Sequence, residues 1–243
     1  MVALGFLLGL WTASRRGLRE GIPAERIIDL GPWLILGSIV GARTLYVTSY
    51  WHEQFAGKPI WEIFMVQHGG LVYYGGLFGA SLAFILYCRG RSLPLWKGAD
   101  ILAPSVALGH AVGRIGCLFN GCCYGRPCSL PWGITFPDNP GGPRPGIPVH
   151  PTQVYESILN LVLYAALAWF YRRKKFDGQI FGTYLVSYAL IRSLVEIFRG
   201  DYPQYYFGGR VTPAHLVSAL ILAAGLVLLR VLPRPMQGTE EGR

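Results

Sequence analysis

The run Ala99-Asp100-Ile101-Leu102-Ala103-Pro104-Ser105-Val106-Ala107-Leu108-Gly109-His110-Ala111-Val112-Gly113-Arg114-Ile115-Gly116-Cys117-Leu118 decides the fold. At 1.5 Å per residue, a helix of this length rises about 30 Å, the thickness of a bilayer's hydrocarbon core. Six more apolar stretches surround it, at 2–13, 28–50, 69–88, 151–171, 178–198 and 213–232. All but the first reach about 20 residues, the length needed to cross. The first ends in Thr12-Ala13-Ser14 followed by Arg15 and Arg16, so its positive charge lies on the wrong side for a secretory signal peptide. It is expected to be the inner part of a helix whose outer part is missing from this start or is unusually short. The fold class predicted is an all-α polytopic membrane protein, a single domain over 1–243 with about seven transmembrane helices.

Composition agrees. The chain is 52% hydrophobic and only 14% charged, against roughly a quarter charged in soluble domains. A net charge of +9 would suit nucleic acid or a membrane surface, and the placement of the charges separates these. Arg15, Arg16, Arg19 and Arg26 follow the first stretch; Arg89, Arg91 and Lys97 follow the third; Arg172, Arg173, Lys174 and Lys175 follow the fifth; Arg230, Arg234 and Arg243 form the tail. Lys58, Arg126, Arg144, Arg199 and Arg210 fall on the other side. The positive-inside rule then puts the N-terminus outside and the C-terminus in the cytoplasm. The basic excess is topological, nucleic acid drops out as a partner, and the lipid bilayer takes its place. No internal repeat is visible, which weakens a transporter reading.

One connection is long, 119–150 on the outer side, rich in Gly, Pro and Cys. Such loops are usually functional or disordered; its dense start and abrupt end favour an ordered extracytoplasmic cap. Residues 233–243 read as a short cytoplasmic tail.

Three arginines lie inside apolar stretches, where a charge costs at least about 2.5 to 3.5 kcal/mol and marks a functional site by default. Arg114 sits ~6 Å below Leu118, Arg43 ~10 Å below Tyr50 and Arg192 ~9 Å below Phe198, all in the outer leaflet. Each could instead snorkel or pair with a carboxylate. Arg192 has Glu196 one turn on, on the same face. Arg114 has no acidic neighbour three or four residues away, only His110. It is therefore expected to meet an external anion, and at this depth that is a lipid phosphate.

The third stretch enters through His68-Gly69-Gly70-Leu71-Val72-Tyr73-Tyr74-Gly75-Gly76-Leu77. Two Gly-Gly pairs weaken a helix unless close backbone approach or a broken helix needs them. Small-residue packing explains the glycines but not His68 or Tyr74; Tyr74 lies ~9 Å below His68, near the arginine level. After Gly113-Arg114-Ile115-Gly116 the chain continues Cys117-Leu118-Phe119-Asn120-Gly121-Cys122-Cys123-Tyr124-Gly125-Arg126-Pro127. Its glycines let backbone approach a headgroup, and Arg and Asn donate to phosphate oxygens.

These residues resemble the prolipoprotein diacylglyceryl transferase family. Its Gly-Arg-x-Gly-Asn-x-x-Asn-Gly-Glu-x-x-Gly-Arg run is matched at Gly113, Arg114, Gly116, Asn120, Gly121, Gly125 and Arg126. His150-Pro151-Thr152-Gln153-Val154-Tyr155-Glu156 is similar to its His-Pro-Ser-Gln-x-Tyr-Glu, and Arg192-Ser193-Leu194-Val195-Glu196-Ile197-Phe198-Arg199 to its Arg-x-x-x-Glu-x-x-Arg. Departures mark a divergent branch. The family's His before the second Gly-Gly is Tyr74 here, its first signature Asn is Cys117, and its Glu is Cys122.

The resemblance implies transfer of the diacylglyceryl group of phosphatidylglycerol to the lipobox cysteine of a prolipoprotein signal peptide, at the outer face of the bacterial inner membrane. It implies Arg114, Arg192, Tyr74 and His68 as catalytic residues. Gly113, Gly116, Asn120, Arg126, Gly75, Gly76, Arg43, Glu196 and His150 would bind substrate. The nucleophile is the substrate's thiol, with an ordinary pKa near 8.5, and the leaving group is a phosphate that arginines stabilise. Tyr74, with a reference pKa near 10, is a base only if strongly depressed; otherwise it positions, and His68 or His110 takes the proton. The reaction requires no metal, nucleotide or other cofactor.

Cys117, Cys122, Cys123 and Cys128 cluster after the fourth stretch, with Cys88 apart. An oxidising compartment permits a disulfide, for example Cys122 with Cys128. The paired C-x-x-C spacing of metal sites is missing, so disulfides or buried thiols are expected. A thiol-based membrane redox protein and a non-catalytic lipid- or lipoprotein-binding paralogue are the alternatives.

Overall fold

The computed structural model describes residues 1–137, 142–200 and 212–233, and of His68 the backbone alone. The described residues contain seven α-helices and no strand: α1 Val2–Arg19, α2 Ala24–Ser49, α3 Tyr73–Gly90, α4 Leu95–Asn120, α5 Thr152–Phe170, α6 Gln179–Glu196 and α7 Pro213–Val231. Four spans, Ala24–Ser49, Leu95–Asn120, Thr152–Arg173 and Pro213–Val231, are long and apolar enough to cross a membrane. The other helices, α1, α3 and α6, have 18 residues each. Each of the seven apolar stretches of the sequence holds one of the seven helices.

The structure corrects two expectations. First, α1 does not end at Ala13 but continues through Ser14, Arg15 and Arg16 to Arg19, and Arg16 is buried. A helix end is set by where backbone donors and acceptors find partners, and arginine is a good helix former, so the charge boundary and the helix boundary need not coincide. Second, 119–150 is not the sole long connection. Between α2 and α3 lie a π-turn, Trp51–Phe55, and two 3-10 turns, Ile60–Phe64 and Val66–His68, because Gly69 and Gly70 stand at φ +82° and +78° and delay α3 until Tyr73. The tail from 234 on, with Arg234 and Arg243, and Arg210 lie outside the described residues.

The chain forms two compact units. In the unit Ser14–Gly98, α2 and α3 pack backbone to backbone. Gly37 and Gly41 on α2 face Gly75 and Gly79 on α3, each pair one turn apart. A Cβ on Gly79 would run into the Gly37 carbonyl and stand 2.9 Å from Gly41 Cα, and one on Gly75 would run into the Gly41 carbonyl. Small residues at this spacing let helices associate in lipid, where burying apolar surface gains nothing over contact with acyl chains.

The other unit is Met1–Ala13 with Ala99–Arg243. Here α6 and α7 approach through Gly182 and Gly225; a Cβ on Gly225 would be 3.1 Å from the Gly182 carbonyl. Asp100, fully buried on α4, accepts from the backbone N–H groups of Gly178 (2.8 Å) and Phe181 (2.9 Å). This carboxylate satisfies donors that a helix start leaves open and locks α4 against the first turn of α6. Thr12 meets Ser105 at 2.8 Å, tying α1 to α4. Arg114 lies fourteen residues beyond Asp100 on α4, about 21 Å further along the axis.

After α4 the chain is held by its own backbone. Gly125 N–H donates to His150 O (2.9 Å), His150 N–H to Arg126 O (3.0 Å), and Arg126 N–H to Phe198 O (2.8 Å). Ile134 and Val149 exchange bonds of 3.1 and 3.0 Å. Only glycine fits at 125, since a Cβ would be 2.5 Å from His150 Cβ and 2.7 Å from the Phe198 carbonyl.

Candidate active site

Arg114 projects from the last turns of α4 and meets Glu156 in the first turns of α5. Its Nη2 donates to Glu156 Oε1 at 3.0 Å and its Nε lies 3.0 Å from Oε2. The expectation that Arg114 lacks a protein anion is thus corrected: its counter-ion comes from another helix, which local spacing could not show. His110, one turn before Arg114, places Nε2 3.0 Å from Glu156 Oε1 and 3.1 Å from Arg114 Nε, and its ring packs on Tyr188. Glu156 is 2% exposed. An isolated carboxylate at that depth would be prohibitively costly, so the pair and its hydrogen bonds are required together. Ser157 Oγ donates to Ala111 O (2.9 Å), fixing α5 on α4, while Asn160 Nδ2 donates to the Glu156 carbonyl (2.8 Å) one turn away within α5.

A second pair lies within electrostatic range of Glu156. Arg192 Nη1 is 2.8 Å from Glu196 Oε2, the contact expected from their one-turn spacing. Glu196 also accepts from Thr212 Oγ1 at 2.6 Å. Thr212 caps α7, its hydroxyl taking the N3 backbone while His215 reaches back to the Thr212 N–H. The Arg-x-x-x-Glu motif is thereby tied to the start of α7.

The remaining expected residues fall in several places. Gly113, Gly116 and Asn120 line a cavity of about 490 Å³ with Met1, Val2, Cys117 and Cys122. Arg126 is exposed and donates from Nε to Arg199 O at 3.0 Å. His150 packs on Phe198 and approaches the Tyr155 hydroxyl at 3.3 Å. It borders an apolar groove of about 470 Å³ lined by Leu130, Trp132, Ile158, Leu194 and Phe198.

Arg43, Tyr74, Gly75 and Gly76 belong to the unit Ser14–Gly98. Arg43 is buried and its guanidinium donates to four carbonyls: Glu62 (2.7 Å), Ile63 (2.7 Å), Gly69 (2.7 Å) and Gly70 (3.2 Å). Gly75 sits in the contact with α2, Gly76 beside Ser38, and Tyr74 is exposed in the first turn of α3, edge-on to Tyr73. The His68 side chain lies outside the described residues.

The five cysteines are free thiols. The permitted Cys122–Cys128 disulfide is not formed; Cys117, Cys122 and Cys123 converge instead, with sulfurs all within 4.8 Å of one another. Sequence reasoning also passed over Glu156 and Gln153 as site residues, although both stand in the quoted His150–Glu156 run.

The fold and site define a multi-pass, all-helical membrane protein with two arginine–glutamate pairs within electrostatic range of one another. Residues 1–231 match the family described as prolipoprotein diacylglyceryl transferase, and the chain belongs to that family. It is 36% identical over 229 residues to the phosphatidylglycerol–prolipoprotein diacylglyceryl transferase of Finegoldia magna, covering 94% of this chain and 87% of that protein. The enzymes of the same name from Synechococcus elongatus and Geobacillus kaustophilus are each 36% identical, over 238 and 232 residues. Those alignments cover 93% and 94% of this chain, and 80% and 84% of the relatives.

Proposed function

We propose that this protein transfers the diacylglyceryl group of phosphatidylglycerol to the lipobox cysteine of prolipoproteins, releasing glycerol phosphate. The observation that carries this reading is the Arg114–Glu156 pair. Two of the family's motifs, some forty residues apart in sequence, meet there in one ion pair. Glu156 engages Nε and Nη2 and holds the guanidinium plane, so that the Nη1 end presents to a phosphate oxygen; a planar fork held by one carboxylate is pre-organised to hold a second anion. Charge grows on the leaving phosphate as the C–O bond breaks, and Arg114 and Arg192 stabilise it in a low-dielectric site. Gly113, Gly116 and Asn120 shape the headgroup cavity, and the groove beside His150 takes an acyl chain. Buried Glu196 holds Arg192 in place, and exposed Arg126 braces the chain at Arg199 O. Of the proton-transfer candidates His110 stands in this site, beside Glu156 and Arg114, and receives the proton of the incoming thiol, whereas Tyr74 and His68 belong to the unit Ser14–Gly98.

On this reading all seven helices cross the inner membrane with the N-terminus outside and the C-terminus inside, and 119–150 caps the outer end. Lipidation of a lipobox peptide by the purified protein in phosphatidylglycerol vesicles tests the function. A mass increase of the peptide equal to a diacylglyceryl group is expected, and none when phosphatidylglycerol is replaced by phosphatidylcholine. Absence of product under both conditions overturns the reading.

A further inference from the structure

The three converging thiols are unused by the chemistry above, and the surrounding structure holds them in place. Cys117 lies in the last turn of α4. Cys122 and Cys123 follow a tight reversal in which Gly121 has φ +70° and Cys123 itself φ +62°, a left-handed conformation that non-glycine residues rarely adopt. Two buried side chains from the start of α5 hold that reversal. Gln153 Nε2 donates to Cys122 O at 2.7 Å, and Thr152 Oγ1 donates to Cys123 O at 2.7 Å. The Cys122 N–H closes back on Cys117 O at 3.2 Å. The sulfurs are thus set by packed secondary structure rather than by a loose loop.

We propose that Cys117, Cys122 and Cys123 form a three-thiolate site for zinc, with its fourth position open to the cavity beside Asn120. Tetrahedral zinc with Zn–S bonds of ~2.3 Å holds its sulfurs about 3.8 Å apart. Sulfurs already within 4.8 Å reach that spacing by small thiol rotations. Three protein ligands with one open position is the pattern of catalytic rather than structural zinc. Gln153 and Thr152 hold the backbone that carries two of the ligands, through the Cys122 and Cys123 carbonyls, and so fix where those sulfurs start from. Three thiolates and one zinc leave a single negative charge, and Arg114 lies within electrostatic range of Cys117 and Cys123 to offset it.

The cavity that Cys117 and Cys122 line supplies the route to the fourth position. Resting on the transferase reading, that position takes the substrate's lipobox thiol. Coordination lowers the pKa of the thiol, whose proton passes to His110, and keeps the sulfur as a metal-bound thiolate. The sulfur then donates its electron pair to the glyceryl carbon; the S–C bond forms, the C–O bond breaks with its electrons, and glycerol phosphate departs.

The test uses the full-length protein, reduced and purified in detergent micelles, titrated with zinc and with cobalt as its spectroscopic surrogate. Expected are uptake of a single metal ion per chain, a thiolate-to-cobalt charge-transfer band and the visible bands of tetrahedral cobalt. These are lost in Cys117→Ser and in Cys122→Ser/Cys123→Ser but kept in Cys128→Ser, with helicity by circular dichroism confirming that each variant is folded. No uptake by the reduced wild-type protein overturns the site, whatever the variants do. So does a disulfide among the three cysteines in freshly isolated membranes that, once reduced, still yields no metal binding. Addition of a lipobox peptide shifts the visible cobalt bands, and its Cys→Ser counterpart does not. Identical spectra with both peptides overturn the fourth-position assignment. Metal binding without peptide lipidation in vesicles leaves the zinc site standing and removes the transferase reading on which the thiol assignment rests.

Discussion

Arg43 and Arg114 present the same sequence feature, one arginine deep in an apolar helix, and the structure uses them in opposite ways. Arg43 donates to four backbone carbonyls of the connection between α2 and α3 and lies near the rings of Tyr46 and Phe55, 5.6 and 5.4 Å from their centroids. Its charge orders a loop. Arg114 pairs with a carboxylate from another helix, beside a histidine. Burial of an arginine therefore does not separate scaffold from site; the partner does. A carbonyl set consumes donors and neutralises no charge, whereas a carboxylate fixes the fork and its orientation.

The sharpest way to break this comparison is at Arg114. Arg114→Ala is expected to lower lipidation in phosphatidylglycerol vesicles by about 10²-fold or more, the scale for losing one transition-state anion donor. Arg114→Lys, which keeps charge but loses the planar fork, should recover only part of that. Equal activity of Arg114→Ala and wild type would remove Arg114 from the chemistry.

Next comes Arg43→Ala, which removes a buried guanidinium and leaves four carbonyls of the α2–α3 connection without their donor. The carbonyls belong to half-buried or exposed residues, so water replaces part of the lost bonding, and at about 1 kcal/mol net per hydrogen bond thermal unfolding in micelles should shift downward by several degrees. The surviving folded fraction should keep its KM for phosphatidylglycerol. A raised KM with unchanged unfolding temperature would move Arg43 from scaffold to substrate site.

Smallest is Gly79→Val, where the added side chain meets the Gly37 carbonyl and Gly41 Cα across the α2–α3 contact. Overpacking of this kind costs about 1 to 3 kcal/mol. A modest fall in unfolding temperature is expected, with Gly90→Val, which faces open space, as the comparison. Equal stability of the two variants would show that close packing at Gly79 contributes nothing.

Much of this was legible without coordinates. Helices at 24–49, 95–120, 152–170, 179–196 and 213–231 lie within a few residues of the apolar stretches, because in a membrane the backbone must satisfy itself and a long apolar run can only be helical. The Arg192–Glu196 pair was legible too, since one turn of helix brings both to one face. The limits of α1 and α3 were not. Arginine continues a helix as readily as leucine, and two glycines at positive φ postponed the start of α3 to Tyr73.

The sequence by itself determined the membrane class, the helical segments and the family, and it singled out Arg114 and Arg192 as candidates, because hydropathy, one-turn spacing and short motifs are local properties. Only the tertiary structure decided that Glu156 is the counter-ion of Arg114, that Arg43 serves a loop, and that three cysteines without paired spacing share one point. Each of these depends on how one helix packs against another or on a left-handed turn, and neither is written in residue spacing along the chain.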